Sequence, residues 1–401
     1  MKKLILIIAI FGLFNVLSYA QNNPKPEKVY SIKIKSYPIE WYEQQAKLWK
    51  VEINKNRKNA DAWLNYYTAN RMCKILNSDL WLEHKQKCFQ DLSVIIDSLG
   101  KELPNSFEYN YLMYRNSFNE GNKNFEYLQK AYSIAPERSE AYEEFITYYE
   151  TENDKENLAK FCKKFFDANG ISPTIMAWNY NVLMSLEPNA ILITNGDNDT
   201  YPIWLLQYAQ NIRPDVKVFN TSLMALDNYR SVKFKENDIP PLPAKTEADK
   251  ANGGTVKSLF EEIIDHLVKN HGENPLYFAL TVDNSIYKKY ENSIYLTGVA
   301  FKYSPKDFDN MAVIKRNYEQ KFIMDYLKVN LQKDISETVA KQININYMPM
   351  LIKLRNHYKL SGEDQKVVVV DNLIFNISSG TSIEDEVKKA LKNGDFEKFE
   401  F

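Results

Sequence analysis

From Ile39 to about Glu187, apolar and aromatic residues return at helical spacing, and that stripe limits the fold more than any other feature. Trp41, Leu48 and Val51 share one face, as do Trp63, Tyr66, Tyr67 and Asn70. Leu92, Ile95, Ile96 and Leu99 repeat the i, i+3, i+4, i+7 pattern of an amphipathic helix. Breakers fall at Asn77-Ser78-Asp79, Gly100, Leu103-Pro104-Asn105, Glu120-Gly121-Asn122, Ala135-Pro136, Asn153-Asp154, Gly170 and Pro173. Segments of about 14 to 20 residues between them predict antiparallel helical hairpins. Glycine usage agrees, with 12 in 401 residues where roughly 7% is average.

A weak period of about 34 residues runs through this region. Tyr142, Phe145 and Tyr149 fall on the first helix of one unit, and Leu158, Cys162 and Phe165 on its second. The unit before it ends Leu128, Ala131, Pro136. The pattern resembles tetratricopeptide (TPR) repeats, although Ile146 stands where that repeat has a small residue. An irregular TPR-like array is expected over 38–187, with a plain helical bundle as the other reading. In such an array a concave face carrying Tyr or Trp holds peptide or sugar.

The texture changes at Asn189. Ala190 to Thr194 reads as a buried strand, Asn195-Gly196-Asp197-Asn198-Asp199-Thr200 as a polar loop, and Ile203 to Ile212 as a helix that Pro202 helps to start. Val216 to Asn220 reads as a second strand, completing a βαβ unit and implying a parallel sheet. Asp238 to Pro243 is an extended, Pro-rich linker, followed by an amphipathic helix over 255–269 and a strand over 275–282. Ile294-Tyr295-Leu296 and Val299 to Tyr303, split by Gly298, read as a strand pair or one bulged strand. The fold class is therefore α+α/β: a TPR-like array, a small α/β domain over 188–305 with a mainly parallel sheet, and C-terminal helices over 306–401, notably 314–329 and 339–358. Val367-Val368-Val369-Val370 has strand propensity in helical surroundings and stays open between strand and helix.

Lys2 and Lys3 precede an apolar run from Leu4 to Leu17, and Ser18-Tyr19-Ala20 follows. That is a secretory signal peptide over 1–20, cleaved near Ala20, with an extended segment over 21–37. The run is shorter than the roughly 20 residues that span a bilayer. A periplasmic or extracellular location is expected, with no integral membrane span. Cys73, Cys88 and Cys162 then meet an oxidising compartment. Cys73 and Cys88 are offset by roughly 7 Å on successive helices at 1.5 Å per residue, which favours buried thiols over a bridge.

Lys and Arg number 51 against 52 Asp and Glu, and the formal net charge is −1. That balance argues against a general nucleic-acid binder, which needs a basic surface to displace counterions. GxGxxG, GxxxxGK[ST] and GxSxG are all absent. His266 and His271 are five apart and do not form an i, i+4 metal pair.

Asp197-Asn198-Asp199 is the one place where two carboxylates lie close together after a strand. Loops at the carboxyl ends of parallel strands face the crevice where α/β sheets bind ligands, and paired carboxylates suit a divalent cation. D-x-D in this position is how many nucleotide-sugar transferases hold Mn²⁺ or Mg²⁺. Haloacid-dehalogenase-like phosphatases also begin so, but Asn195-Gly196 interrupts the strand-to-Asp junction and Tyr201 replaces their Thr or Val. Gly-Asp-Asn-Asp-Thr is equally good turn chemistry, with Asp199 or Thr200 as a helix cap.

The stretch Ala177-Trp178-Asn179-Tyr180-Asn181, continuing from Asn189 through Ile193-Thr194-Asn195-Gly196-Asp197-Asn198-Asp199-Thr200-Tyr201-Pro202, then Ile212-Arg213-Pro214-Asp215-Val216, resembles a known block. It is similar to the soluble region that follows the membrane domain of bacterial multi-spanning, protein O-mannosyltransferase-like glycosyltransferases. Pro275 to Ala279 and Leu296 to Pro305 match two later blocks of that region. The resemblance covers roughly Ile175 to Pro305 and implies an extracytoplasmic α/β domain. The family's transfer chemistry belongs to its membrane domain, for which this chain has no counterpart, so no catalytic residue carries over.

The expected function is that of an exported, soluble, non-catalytic binding or scaffold protein of the cell envelope, linked to glycan or protein-glycosylation processes. Its partner would be an envelope protein, a peptide or a glycan, with Asn195, Gly196, Asp197, Asn198, Asp199 and Thr200 as its ligand loop. The alternative is metal-dependent glycosyl or phosphoryl transfer, with Asp197 and Asp199 as catalytic residues and ligands of Mg²⁺ or Mn²⁺.

Overall fold

The computed structural model describes residues 24–77, 84–117, 124–242, 256–329 and 334–396. The signal peptide expected over 1–20, its expected cleavage site at Ala20, and Gly121 lie outside them. The chain divides into two compact units, one of Met1–Ile32 and Tyr37–Pro136, the other of Lys33–Ser36 and Glu137–Phe401. The division falls at Pro136, inside the helical stretch expected as one domain over 38–187.

The first unit is a set of helices: α1 (Ile39–Lys55), α2 (Ala60–Leu76), α3 (Lys85–Glu102), α4 (Phe107–Asn116) and α5 (Phe125–Ile134). Side-chain oxygens start two of them. Asn59 accepts the Ala62 amide at 3.1 Å and Ser106 the Tyr109 amide at 3.1 Å, filling donors that a helix cannot satisfy internally. Tyr42, Ala69 and Met72 are buried where α1 meets α2, and Val29 joins them from the segment before α1. Asn65 fixes that segment by accepting the Val29 amide at 2.7 Å. Gly100 does not stop α3, which continues to Glu102. The ring of Tyr109 packs so closely there that a Cβ on Gly100 would come within 2.5 Å of it.

The second unit opens with α6 (Tyr142–Thr151), α7 (Lys155–Asp167) and α8 (Pro173–Met184). Phe161 stacks on Phe145 at 4.2 Å between α6 and α7. Ser172 caps α8, and Pro173 takes the first helical position, where its missing N–H costs nothing. Five strands follow: β1 (Ile191–Thr194), β2 (Lys217–Asn220), β3 (Leu276–Ala279), β4 (Ile294–Leu296) and β5 (Ala300–Tyr303), in the order β2-β1-β3-β5-β4. Helix α9 (Asp197–Gln210) crosses from β1 to β2, α10 (Asp227–Glu236) follows β2, and α11 (Val256–Asn270) precedes β3.

The sheet is mixed and not mainly parallel as expected. β1 pairs parallel with β2 and β3, while β5 pairs antiparallel with β3 and β4. The β4–β5 connection accounts for one of the two antiparallel pairs. Thr297 to Ala300 turns through Gly298 at φ +141°, and a connection this short joins only antiparallel strands. A small α/β domain attached to helices is the observed class.

The C-terminal helices are α12 (Asn310–Gln320), α13 (Glu337–Asn344), α14 (Met348–Leu360), α15 (Asp364–Ser378) and α16 (Glu384–Asn393). The helix expected over 314–329 ends at Gln320. Asn181 on α8 holds the chain beyond it, donating to the Ile323 carbonyl at 2.8 Å and accepting the Ile323 amide at 2.9 Å. Val367 to Val370 is helical. Val370, Leu373, Ile374 and Ile377 are buried at i, i+3, i+4 and i+7, so one packed face overrides β propensity.

Candidate functional site

All four residues of β1 are buried, and the chain leaves its carboxyl end through Asn195 and Gly196 alone. Helix α9 starts at Asp197, so the six-residue polar loop shrinks to two residues and its last four form the first helical turn. Asp199 makes this possible. Its Oδ2 accepts the Asn195 amide at 2.8 Å and its Oδ1 the Gly196 amide at 2.7 Å. Two backbone donors at the end of β1 are thereby satisfied by one side chain.

Asp199 is buried and has further donors. The Thr281 hydroxyl, just past β3, donates to Oδ2, and Thr200 Oγ1 lies 3.3 Å from Oδ1. Thr200 in turn donates to Thr194 Oγ1 at 2.8 Å and accepts from Asn220 Nδ2 at 3.0 Å. Asn220, at the carboxyl end of β2, also accepts the Leu223 amide at 3.0 Å. The carboxyl ends of β1, β2 and β3 are thus laced through polar side chains. Burial pushes the Asp199 carboxyl above the usual range, against the pull of its hydrogen bonds.

Pro202 lies inside α9, not at its start. Without an N–H it cannot serve the carbonyl four residues back. That carbonyl, of Asn198, instead accepts from Nδ2 of the fully buried Asn179 at 2.8 Å.

Asp197 points elsewhere. Its side chain is 53% exposed and lies 3.3 Å from Lys33 Nζ. Lys33 Nζ is also 2.5 Å from Glu143 Oε2 on α6 and 5.5 Å from the centre of the Tyr201 ring. The Tyr201 hydroxyl bonds Thr147 Oγ1 at 2.5 Å, and Asn198 Nδ2 donates to the Lys33 carbonyl at 3.2 Å. Burial raises the Glu143 carboxyl; Lys33 opposes this and Asp197 adds to it. Lys33, Glu143, Asp197 and Asn198 line a cleft of about 320 Å³, with Asp334 and Ile335 also in its lining.

The two aspartates of the D-x-D sequence therefore do not converge. One serves buried backbone amides and the other a lysine at a cleft. Among the described residues, no three His, Cys, Asp or Glu side chains are grouped to hold a metal ion. His266 Nε2 lies 2.7 Å from the Pro240 carbonyl, and His271 Nδ1 2.7 Å from that of Asn274. Cys88 and Cys162 are buried thiols, and burial pushes that of Cys73 up to about 11. Lys33, Glu143, Thr147 and Thr281 escaped the reading of the sequence. Lys33 stands 110 residues from Glu143 and Asp199 82 from Thr281, with no local pattern to connect them.

Among the described residues, no helix is long and apolar enough to cross a membrane. A comparison with curated proteins finds no match. Residues 175–351, less than half of the chain, match the family described as TMEM260-associated domain 2. The match runs from α8 to α14 and takes in the whole sheet and Asn179, Asp197 and Asp199. TMEM260 is itself described as O-mannosyltransferase-like, so this part of the chain is similar to a domain of glycosylation-related proteins.

Proposed function

We propose that this chain is an exported, non-catalytic binding or scaffold protein of the cell envelope that serves glycan or protein-glycosylation processes. The observation that carries the reading is the state of Asp199. A carboxylate buried under two amides and a threonine hydroxyl is spent on holding β1 to α9, and it is poorly placed to attack or to ligate a metal. The helical hairpins, read as an irregular TPR-like array, offer the surface for an envelope protein, peptide or glycan partner. The match over 175–351 supports the link to glycosylation.

The test is affinity capture from envelope extract with the full chain, run beside a sugar- and phosphoryl-transfer assay with Mg²⁺ or Mn²⁺. Enrichment of a glycoprotein, glycan or glycosylation component with no turnover supports the proposal. Metal-dependent turnover that Asp197→Asn abolishes would replace it with the transferase reading.

A further inference from the structure

Helix α15 leaves one face uncovered. Gln365, Val368, Val369, Asn372, Phe375 and Asn376 recur along it at helical spacing, and all six are exposed. Val368, Val369 and Phe375 are 60%, 45% and 40% exposed. None of the six carries a charge. Of the ionised residues that flank them, Asp371 is paired with Arg355 and Lys366 with Glu319. Asn376 bounds the far end of the face, donating to the Leu327 carbonyl at 3.4 Å. The next helix has the opposite character: the outward side of α16 shows Asp385, Glu386, Lys388, Lys389 and Lys392.

Neighbouring β-branched residues cost helix propensity, and at exposed positions no packing within the monomer offsets that cost. An apolar strip with amides and no charge has the composition of an interface core. The order of the residues says what fits it. Asn372 lies at the centre, with Val369 three positions before it and Phe375 three after, Val368 four before and Asn376 four after. Turning the helix end for end about Asn372 sets Val369 on Phe375, Val368 on Asn376 and Asn372 on itself. The face is thus complementary to its own copy under a two-fold axis, the isologous arrangement of most dimers, and no like charges meet. At an interaxial distance of about 8–10 Å the two Asn372 amides can bond across the axis and fix the register, as a buried Asn does in coiled coils. We propose that this face binds a second copy of the chain, packed antiparallel through α15 with Asn372 on the two-fold axis. The inference does not rest on the glycan-linked reading above.

Sedimentation equilibrium of the full chain from about 1 to 300 µM is expected to show a reversible monomer–dimer equilibrium, because a single helix pair is smaller than a standard stable interface. Val369→Lys should weaken the dimer about tenfold or more by setting an ammonium against the partner's apolar ring, and Phe375→Glu should do the same. The two substitutions together should restore association, since opposite charges then face each other across the axis. Within one helix the two positions are six apart and do not meet, so the rescue reports pairing between copies alone. Both positions are exposed, and an unchanged melting temperature of the dilute chain excludes unfolding as the cause. A chain that stays monomeric throughout, a dimer indifferent to Val369→Lys, or a double variant no better than either single one overturns the assignment. Capture of a different chain that Val369→Lys abolishes, with the protein itself monomeric, overturns it in favour of that partner.

Discussion

Asn179 on α8 donates its side-chain amide to the backbone carbonyl of Asn198 at 2.8 Å, taking the place of the N–H that Pro202 lacks. The proline and the asparagine are 23 positions apart and form one unit of structure. Asn179→Ala is expected to destabilise the chain by about 1–3 kcal/mol, the cost of leaving a buried carbonyl unpaired. In a Pro202→Ala background the new amide can serve Asn198, and the cost should fall by about 1 kcal/mol. Denaturant titration of the four-member cycle measures the coupling. Equal costs in both backgrounds would show that the two residues act independently.

Asp199→Asn keeps the shape but exchanges one acceptor oxygen for a donor, facing either the Asn195 or the Gly196 amide. A loss of about 2–3 kcal/mol of stability is expected, read as a lowered melting temperature. Asp197→Asn, at an exposed side chain, should shift stability by no more than about 0.5 kcal/mol. A reversed order of the two effects would refute the division of labour between them.

Glu143 gives a pH signature. Its carboxyl is raised in the fold, chiefly by burial, so the folded chain holds that proton more tightly than the unfolded one. Its contribution to stability therefore falls as pH rises from the unfolded value, about 4.3, through the raised folded one. The stability of the wild type relative to Glu143→Gln should decline across that window and flatten above it. Thermal melts of both proteins in steps of pH check the sign; an advantage that grows with pH would contradict it.

Arg213 holds the carboxyl end of α8. Its guanidinium donates to the carbonyls of Leu183 at 2.8 Å, Leu186 at 3.0 Å and Glu187 at 2.8 Å, and forks onto Asp215. Arg213 chiefly holds the Asp215 carboxyl down at about 2. That contribution is present above the unfolded value near 3.9 and is lost as pH falls toward 2. Arg213→Lys keeps the charge and loses the fork, and should cost about 1–3 kcal/mol at neutral pH. A melting temperature unchanged by this substitution would count against the clasp.

Much of the architecture was legible because it is written locally. The strands β1, β2 and β3 fall where short apolar runs meet turn residues, and Leu92, Ile96 and Leu99 of one stripe are buried; in α1 the buried residues are instead Tyr42, Gln45 and Ile53, and Val51 of the expected stripe is exposed. The failures have physical causes. The βαβ unit β1–α9–β2 implies a mainly parallel sheet, while the late pair about Gly298 adds two antiparallel pairings, β3 with β5 and β5 with β4. The four valines from Val367 leave strand and helix open, and packing decides: Val370 belongs to a buried helical face, while Val368 and Val369 are exposed. The acidic stretch read as a loop because Pro202 looked like a helix start. The helix begins at Asp197, six residues before Ile203, where Asp199 takes up the Asn195 and Gly196 amides and the distant Asn179 serves the Asn198 carbonyl that Pro202 leaves unpaired.

The arrangement around Asp199 also bears on competition. The amides of Asn195 and Gly196 sit at the carboxyl end of a parallel strand, before a helix, where α/β folds commonly seat a phosphate. Here the chain supplies a tethered rival that needs no encounter and no loss of translational freedom to occupy those donors. A free anion would have to evict it and leave a buried carboxylate stranded. The seat is taken from the moment the chain folds.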